Sequence, residues 1–176
     1  MQEIIDQLHA NYEACDWAMH PKYCVFTNPD REFYESYHDG FVAKYRWMWA
    51  VARTLKPASL LELGVDRGGS ADAYISASGC SYVGIDLFPP GKFEDARALF
   101  DLRGFDRFLL VREDFRNLRT LPYADLIVVD GAHDYTNQKA DIELALTGRP
   151  KWIYIDDARG KETAKAIDDV MAQWNP

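Results

Sequence analysis

The sequence predicts an α/β fold, a doubly wound and mostly parallel sheet preceded by a helical N-terminal extension. Two observations carry this. From residue 58 onward, short apolar runs alternate with amphipathic stretches, and the runs are apolar almost throughout, as strands covered on both faces are. The residues before it lack that rhythm and are crowded with aromatics, among them Tyr12, Trp17, Tyr45, Trp47 and Trp49. The expected division is therefore 1–57, a helical and aromatic-rich extension, and 58–176, the sheet domain.

Taken in order, a first helix is expected over 2–18 and a second over 39–55, where Pro57 stops it. A loop with Pro21, Pro29 and Asp30 separates them. Strands are expected at Ser59–Leu63, Tyr82–Leu87, Phe108–Val111, Leu126–Val129 and Trp152–Ile155. Helices fill the intervals at 70–78, 91–103, 135–147 and 160–174. In the last of them Ala164, Ile167, Met171 and Trp174 make an apolar stripe at helical spacing.

Composition narrows the function classes. A chain of 176 residues is one ordinary domain, and 48% hydrophobic residues suffice for a core. Twenty basic against 28 acidic residues leave a net charge of −8, which argues against a general nucleic-acid binder. No apolar run approaches the roughly 20 residues of a membrane span. The N-terminus lacks the basic start and apolar core of a signal peptide. Cys15, Cys24 and Cys80 fit neither a zinc spacing nor a disulfide framework. The expectation is a reduced, soluble, cytoplasmic protein without membrane or nucleic-acid partners.

The richest segment is Leu60-Leu-Glu62-Leu-Gly64-Val-Asp-Arg-Gly68-Gly69-Ser70, a strand running into a glycine turn and a helix start. Glycine admits close backbone approach, and a helix N-terminus offers free N–H groups. A tight structural turn is the plain alternative. The second strand ends in Asp86, an acid placed to accept both hydroxyls of an adenosine ribose. The third runs into Asp114-Phe115, a polar group for an adenine amino group and a ring for its face. Three acids at successive strand ends, where open α/β sheets bind ligands, are less ordinary than any one of them.

Glu62-Leu-Gly64 with Gly68-Gly69-Ser70, then Gly84-Ile-Asp86, resembles a class I S-adenosylmethionine-dependent methyltransferase. Asp125-Leu-Ile-Val-Val-Asp130-Gly-Ala-His133-Asp-Tyr135 with Asp141 is similar to one branch of it, the macrocin-type O-methyltransferases, some labelled cephalosporin hydroxylases. The likeness covers residues 45–174 and implies a Rossmann-like sheet of order 3-2-1-4-5. It implies S-adenosylmethionine as cofactor, with Glu62 and the 64–70 loop at the methionine end. Asp86 would then hold the ribose, and Asp114 and Phe115 the adenine.

In that order the fourth and fifth strands are neighbours, so Asp130, Asp156 and Asp157 converge on one rim. Like charges held together raise each other's pKa, and a divalent cation bound through oxygen relieves this, Mg²⁺, Mn²⁺ or Ca²⁺ rather than zinc. The alternative leaves Asp130 to substrate or cofactor and the Asp pair capping the next helix. Metal-dependent members of the superfamily use an Asp after strand four and an acidic pair after strand five. Their catechol-type members place a lysine base three residues past the first Asp, where this chain has His133. Imidazole titrates near neutrality and can take a hydroxyl proton; a local turn bond to Asp134 or Asp141 is the other reading. The function expected is metal-assisted O-methylation of a small molecule or sugar hydroxyl. A metal-independent methyltransferase and a non-catalytic cofactor-binding module are the alternatives.

Two features depart from the family. Thr147-Gly148-Arg-Pro-Lys-Trp152 replaces its Pro-Gly-Gly turn, and the two strands that usually follow strand five are absent from this sequence. Strand five is then a sheet edge, and edges are usually covered or paired, so a homo-oligomer joined there or through the aromatic N-terminal part is expected, with a shortened or minimal form of the family's sheet as the alternatives. Tyr34, Tyr37, Phe41 and Trp47 are candidates for an aromatic lid over the acceptor, with core packing as the alternative. Lys44, Arg46 and Arg53 are expected on a solvated helix face.

Overall fold

A computed structural model describes residues 1–18 and 38–174. Its elements are α1 (Gln2–Glu13), α2 (His38–Leu55), β1 (Ser59–Leu63), α3 (Gly69–Ser78), β2 (Ser81–Asp86) and α4 (Lys92–Arg103). There follow β3 (Phe108–Arg112), a 3₁₀ turn (Phe115–Asn117), β4 (Leu126–Val129), α5 (Tyr135–Thr147), β5 (Trp152–Ile155) and α6 (Lys161–Gln173). The five strands form one all-parallel sheet in the order β3-β2-β1-β4-β5, the predicted arrangement. No helix among the described residues is long and apolar enough to cross a membrane.

The described residues fall into two compact units that do not follow chain order. One comprises parts of Met1–Ala58, Asp66–Ser81 and Phe88–Phe108; the other comprises Ser59–Val65, Tyr82–Leu87 and Leu109 onward. The first is helical. In it α2 packs against α1 and α3. Met48, Ala50 and Ala52 are fully buried, the methionine filling space and the two alanines letting helices approach. Trp47 meets Tyr12 and His9 of α1 at ring separations of 5.5 and 5.6 Å. Arg46 is not on a solvated face: it donates to the Tyr12 carbonyl at 3.1 Å and lies 4.9 Å over that ring. Helix α1 stops at Glu13, earlier than predicted, and Trp17 turns in to stack edge-on against Tyr45 at 6.2 Å. Tyr34, Tyr37 and Cys24 lie outside the described residues, as does the Phe41 side chain.

The second unit holds the sheet. Strand β4 pairs in parallel with β1 through Leu60–Leu126 to Leu63–Val129, and with β5 through Leu126–Trp152 to Val129–Ile155. Leu61, Leu63, Ile85, Ile127 and Val129 pack with Ile142, Ala145, Ala166 and Val170 of α5 and α6 in one core. The two helices are latched where Tyr135 donates to Asp169 at 2.6 Å and Lys165 sits 4.3 Å over its ring. At the strand starts Asp125 accepts from Tyr123 and Lys151, both at 2.7 Å, and from the Ser59 N–H at 3.3 Å.

The stripe predicted for the last helix is met at Ile167, which packs against the core, and is displaced beyond it. Thr163, Ala166 and Val170 are the buried positions, whereas Met171 and Trp174 are 50% and 47% exposed. Small residues fit flush against the core, and a count that weights large side chains passes over them. Strand β5 closes one side of the sheet, with no strand beyond it among the described residues, and Trp152 on it is 39% exposed.

Candidate active site

The strand C-termini meet at Gly64. It has φ +91°, and a Cβ there would run into the Asp130 carbonyl oxygen and lie 2.6 Å from the carbonyl carbon. Its N–H donates to Ile85 at 2.9 Å, while the Asp130 N–H donates to Leu63 at 2.8 Å, so the turn is tied to both flanking strands. The next residue, Val65, donates its N–H to Asp86 Oδ2 at 2.7 Å. A half-buried carboxylate at the end of β2 is thereby fixed against the glycine turn.

Glu62, two residues earlier on β1, is fully buried, and its Oε2 accepts from the Tyr82 phenol. Asp114 caps the 3₁₀ turn, accepting from the Arg116 N–H at 3.1 Å and its Nε at 3.2 Å. Phe115 is 5% exposed and joins the core. In the helical unit, Gly68 is the N-cap of α3 and Ser70 is buried in its first turn. The charged residues just before them are tied to the start of α4, Asp66 by Lys92 and Arg67 by Asp95.

The loop after β4 carries Asp130, Gly131, Ala132 and His133 and is supported from beneath by Asp141. A Cβ on Gly131 would lie 2.8 Å from Phe115 Cζ and 2.9 Å from Asp141 Oδ2, and that oxygen accepts from the Ala132 N–H at 3.4 Å. Burial pushes the Asp141 carboxyl up to about 6, aided by Asp114 and Asp134 and opposed by the Ala132 N–H and Arg116. Since the folded state prefers the protonated form, this group's stabilisation is complete below the unfolded value of 3.8 and is lost as pH rises through 6. Asp141→Asn is therefore expected to raise the melting temperature at pH 7.5. The gain should vanish towards pH 4, as a pH series of thermal melts will read directly.

His133 does not bond Asp134 or Asp141 as the local-turn reading expects. Asp134 caps α5, accepting from the Asn137 N–H at 3.1 Å and its Nδ2 at 2.8 Å, which holds its carboxyl below the usual range. The acid nearest His133 is Asp157, 3.6 Å from Nδ1, with both side chains more than half exposed. Asp156 is instead 6% exposed, its N–H donating to Val129 at 3.0 Å. Neither aspartate caps α6, whose N-cap is Gly160 without a side-chain bond. Among the described residues no three His, Cys, Asp or Glu side chains form a group able to hold a metal ion. Asp156 is buried while Asp157 is exposed, so Asp130, Asp156 and Asp157 as placed do not form such a group.

Sequence reasoning missed Tyr82 as partner of Glu62 and Asp157 as partner of His133. The first was readable from alternation, since Tyr82 and Gly84 share a face of β2. The second joins residues from different strand ends and has no local signal.

No family model matches the chain, and no curated protein matches it. Solved structures do. An SAH-bound methyltransferase of Podospora anserina aligns over 98% of this chain and 86% of its own at TM-score 0.62 and 21% identity. An O-methyltransferase of Bacillus cereus in complex with SAH aligns over 98% and 80% at TM-score 0.58 and 17% identity. A coclaurine N-methyltransferase bound to N-methylheliamine and SAH aligns over 82% of this chain and 47% of its own at TM-score 0.54 and 12% identity. With its strand order, glycine turn and strand-end acids, the chain has the Rossmann-like fold of the class I S-adenosylmethionine-dependent methyltransferases.

Proposed function

We propose that the chain is an S-adenosylmethionine-dependent methyltransferase acting on a hydroxyl of a small molecule or sugar. The observation that carries this reading is the Asp86 carboxylate, held at the end of β2 by the Val65 N–H at 2.7 Å. A fixed, half-buried acid beside a glycine turn is what a ribose diol requires. Glu62, Gly64, Gly68, Gly69 and Ser70 are assigned to the methionine end and Asp130 to the rim beside it. Asp114 and Phe115 are assigned to the adenine, the 5% exposure of Phe115 leaving little of its ring to offer.

When bound, S-adenosylmethionine would supply a sulfonium-activated methyl group for the acceptor oxygen, with the thioether sulfur as the leaving group that keeps the C–S electron pair. His133 takes the hydroxyl proton, and Asp157 beside it stabilises the imidazolium that results. Orientation of the reactants by the strand-end residues supplies much of the remaining effect. No step is routed through Mg²⁺, because the three aspartates as placed do not form a metal-holding group.

Calorimetric titration of SAH tests the cofactor assignment. Micromolar binding is expected, equal in Mg²⁺ and in EDTA, and Asp86→Ala should weaken it at least about tenfold, the loss of hydrogen bonds to a charged group. Absence of binding to the wild type, or an Asp86→Ala variant of equal affinity, overturns the reading. Binding that requires Mg²⁺ restores the metal to the site.

We also propose self-association through the β5 side of the sheet, beyond which no further strand lies among the described residues and which carries the half-exposed Trp152. A dimer mass by light scattering at micromolar concentration is the expected result, and Trp152→Glu should return the monomer.

A further inference from the structure

We propose that Tyr82 is a positioning residue: it orients the Glu62 carboxylate and so sets how tightly the amino-acid end of the cofactor is held. This rests on the assignment of Glu62 to that end.

Strands β1 and β2 are neighbours. Alternation along β1 sends Leu61 and Leu63 into the core and Glu62 to the opposite face. Along β2 it sends Val83 and Ile85 to that same core and Tyr82 and Gly84 to the face of Glu62. Tyr82 is 1% exposed and Glu62 is fully buried, so neither meets water. The phenol donates to Glu62 Oε2. A carboxylate with no exposed surface is costly unless hydrogen-bonded, and Tyr82 meets that need from the neighbouring strand. Tyrosine reaches there with only two side-chain torsions, while the glutamate has three to be fixed. A carboxylate already fixed loses less entropy when it binds an ammonium group.

Gly84 makes this geometry possible. Its φ is not in the left-handed region, so backbone freedom is not its use. Space is. A Cβ at Gly84 would lie 2.7 Å from Tyr82 Oη, 2.9 Å from Tyr82 Cε1 and 2.7 Å from Val65 Cγ2. The tyrosine ring therefore crosses the glycine to reach Glu62. The same glycine receives Val65, whose N–H holds Asp86. The glycine of the Gly84-Ile-Asp86 motif thus serves both carboxylates.

The test compares SAH with 5′-methylthioadenosine, which keeps the nucleoside and lacks the amino-acid end. Wild type is expected to bind SAH more tightly. Tyr82→Phe should weaken SAH about tenfold, as for loss of a bond to a charged group, while leaving methylthioadenosine within about twofold. A Tyr82→Phe variant with the wild-type ratio of affinities overturns the proposal alone. So does one that loses both ligands equally, since that is a structural defect. A wild type that binds both ligands equally, or neither, overturns the Glu62 assignment and the proposal with it. Should Tyr82→Phe fail to fold, Tyr82→Gln and Tyr82→Leu carry the same comparison. The amide, a donor, should keep the ratio and the alkyl chain should lose it; equal ratios overturn the proposal.

Discussion

Gly64→Ala is expected to lower the melting temperature by about 10 °C or more and to abolish SAH binding. Two costs add. A side chain at φ +91° sits in left-handed backbone, at about 1–2 kcal/mol. Its Cβ would also collide with the Asp130 carbonyl, which belongs to backbone fixed by the Asp130 N–H bond to Leu63 and cannot swing aside. Overpacking of this kind costs about 1–3 kcal/mol or more, and each kcal/mol is worth about 2–4 °C in a chain of this size. Gly79→Ala separates the two costs. Gly79 also has positive φ, at +63°, yet a Cβ there meets nothing within 4 Å among the described residues. It should show the backbone cost alone, a fall of about 2–8 °C. Equal melting points for the two variants would show that the Asp130 contact carries no weight.

The contrast between those glycines also shows what the sequence can and cannot disclose. Strands β1, β4 and β5 fall on the residues their apolar runs mark, and Asp86, Asp114 and Asp130 stand at strand ends because a run of buried residues must end where the chain reaches water. Helix α6 follows its predicted extent, and its face agrees at Ile167 but not at Met171 and Trp174, since periodicity fixes its length while Thr163 and Ala166 hide much of its buried side. The partners were not legible. Nothing near His133 in sequence points to Asp157, and the aspartates at the end of β5 look equivalent until one is buried and the other sits at φ +50° in the open. Convergence of Asp130, Asp156 and Asp157 follows from the strand order, whereas their side chains as placed form no metal-holding group, because neighbouring strand ends do not by themselves aim their side chains at one point.

That distinction decides between two roles for Asp157, and His133 is where they part. His133→Ala is expected to lower kcat about 10²–10⁴-fold, the usual contribution of a positioned base, with SAH affinity unchanged within about twofold. The assay is transfer of labelled methyl from S-adenosylmethionine across catechol, phenol and sugar hydroxyl acceptors. The 3.6 Å between His133 Nδ1 and Asp157 Oδ2 is too long for a hydrogen bond, and such pairs often tighten only with substrate in place. If Asp157 acts through the imidazole, Asp157→Asn costs less than His133→Ala, and adding it to His133→Ala costs nothing further, because its partner is already gone. If Asp157 instead ligates a cation, its loss adds in full to that of His133, in Mg²⁺ but not in EDTA. An additive double variant with that metal dependence would therefore displace the dyad, and a non-additive one in both buffers would leave the base and its carboxylate as a single catalytic unit.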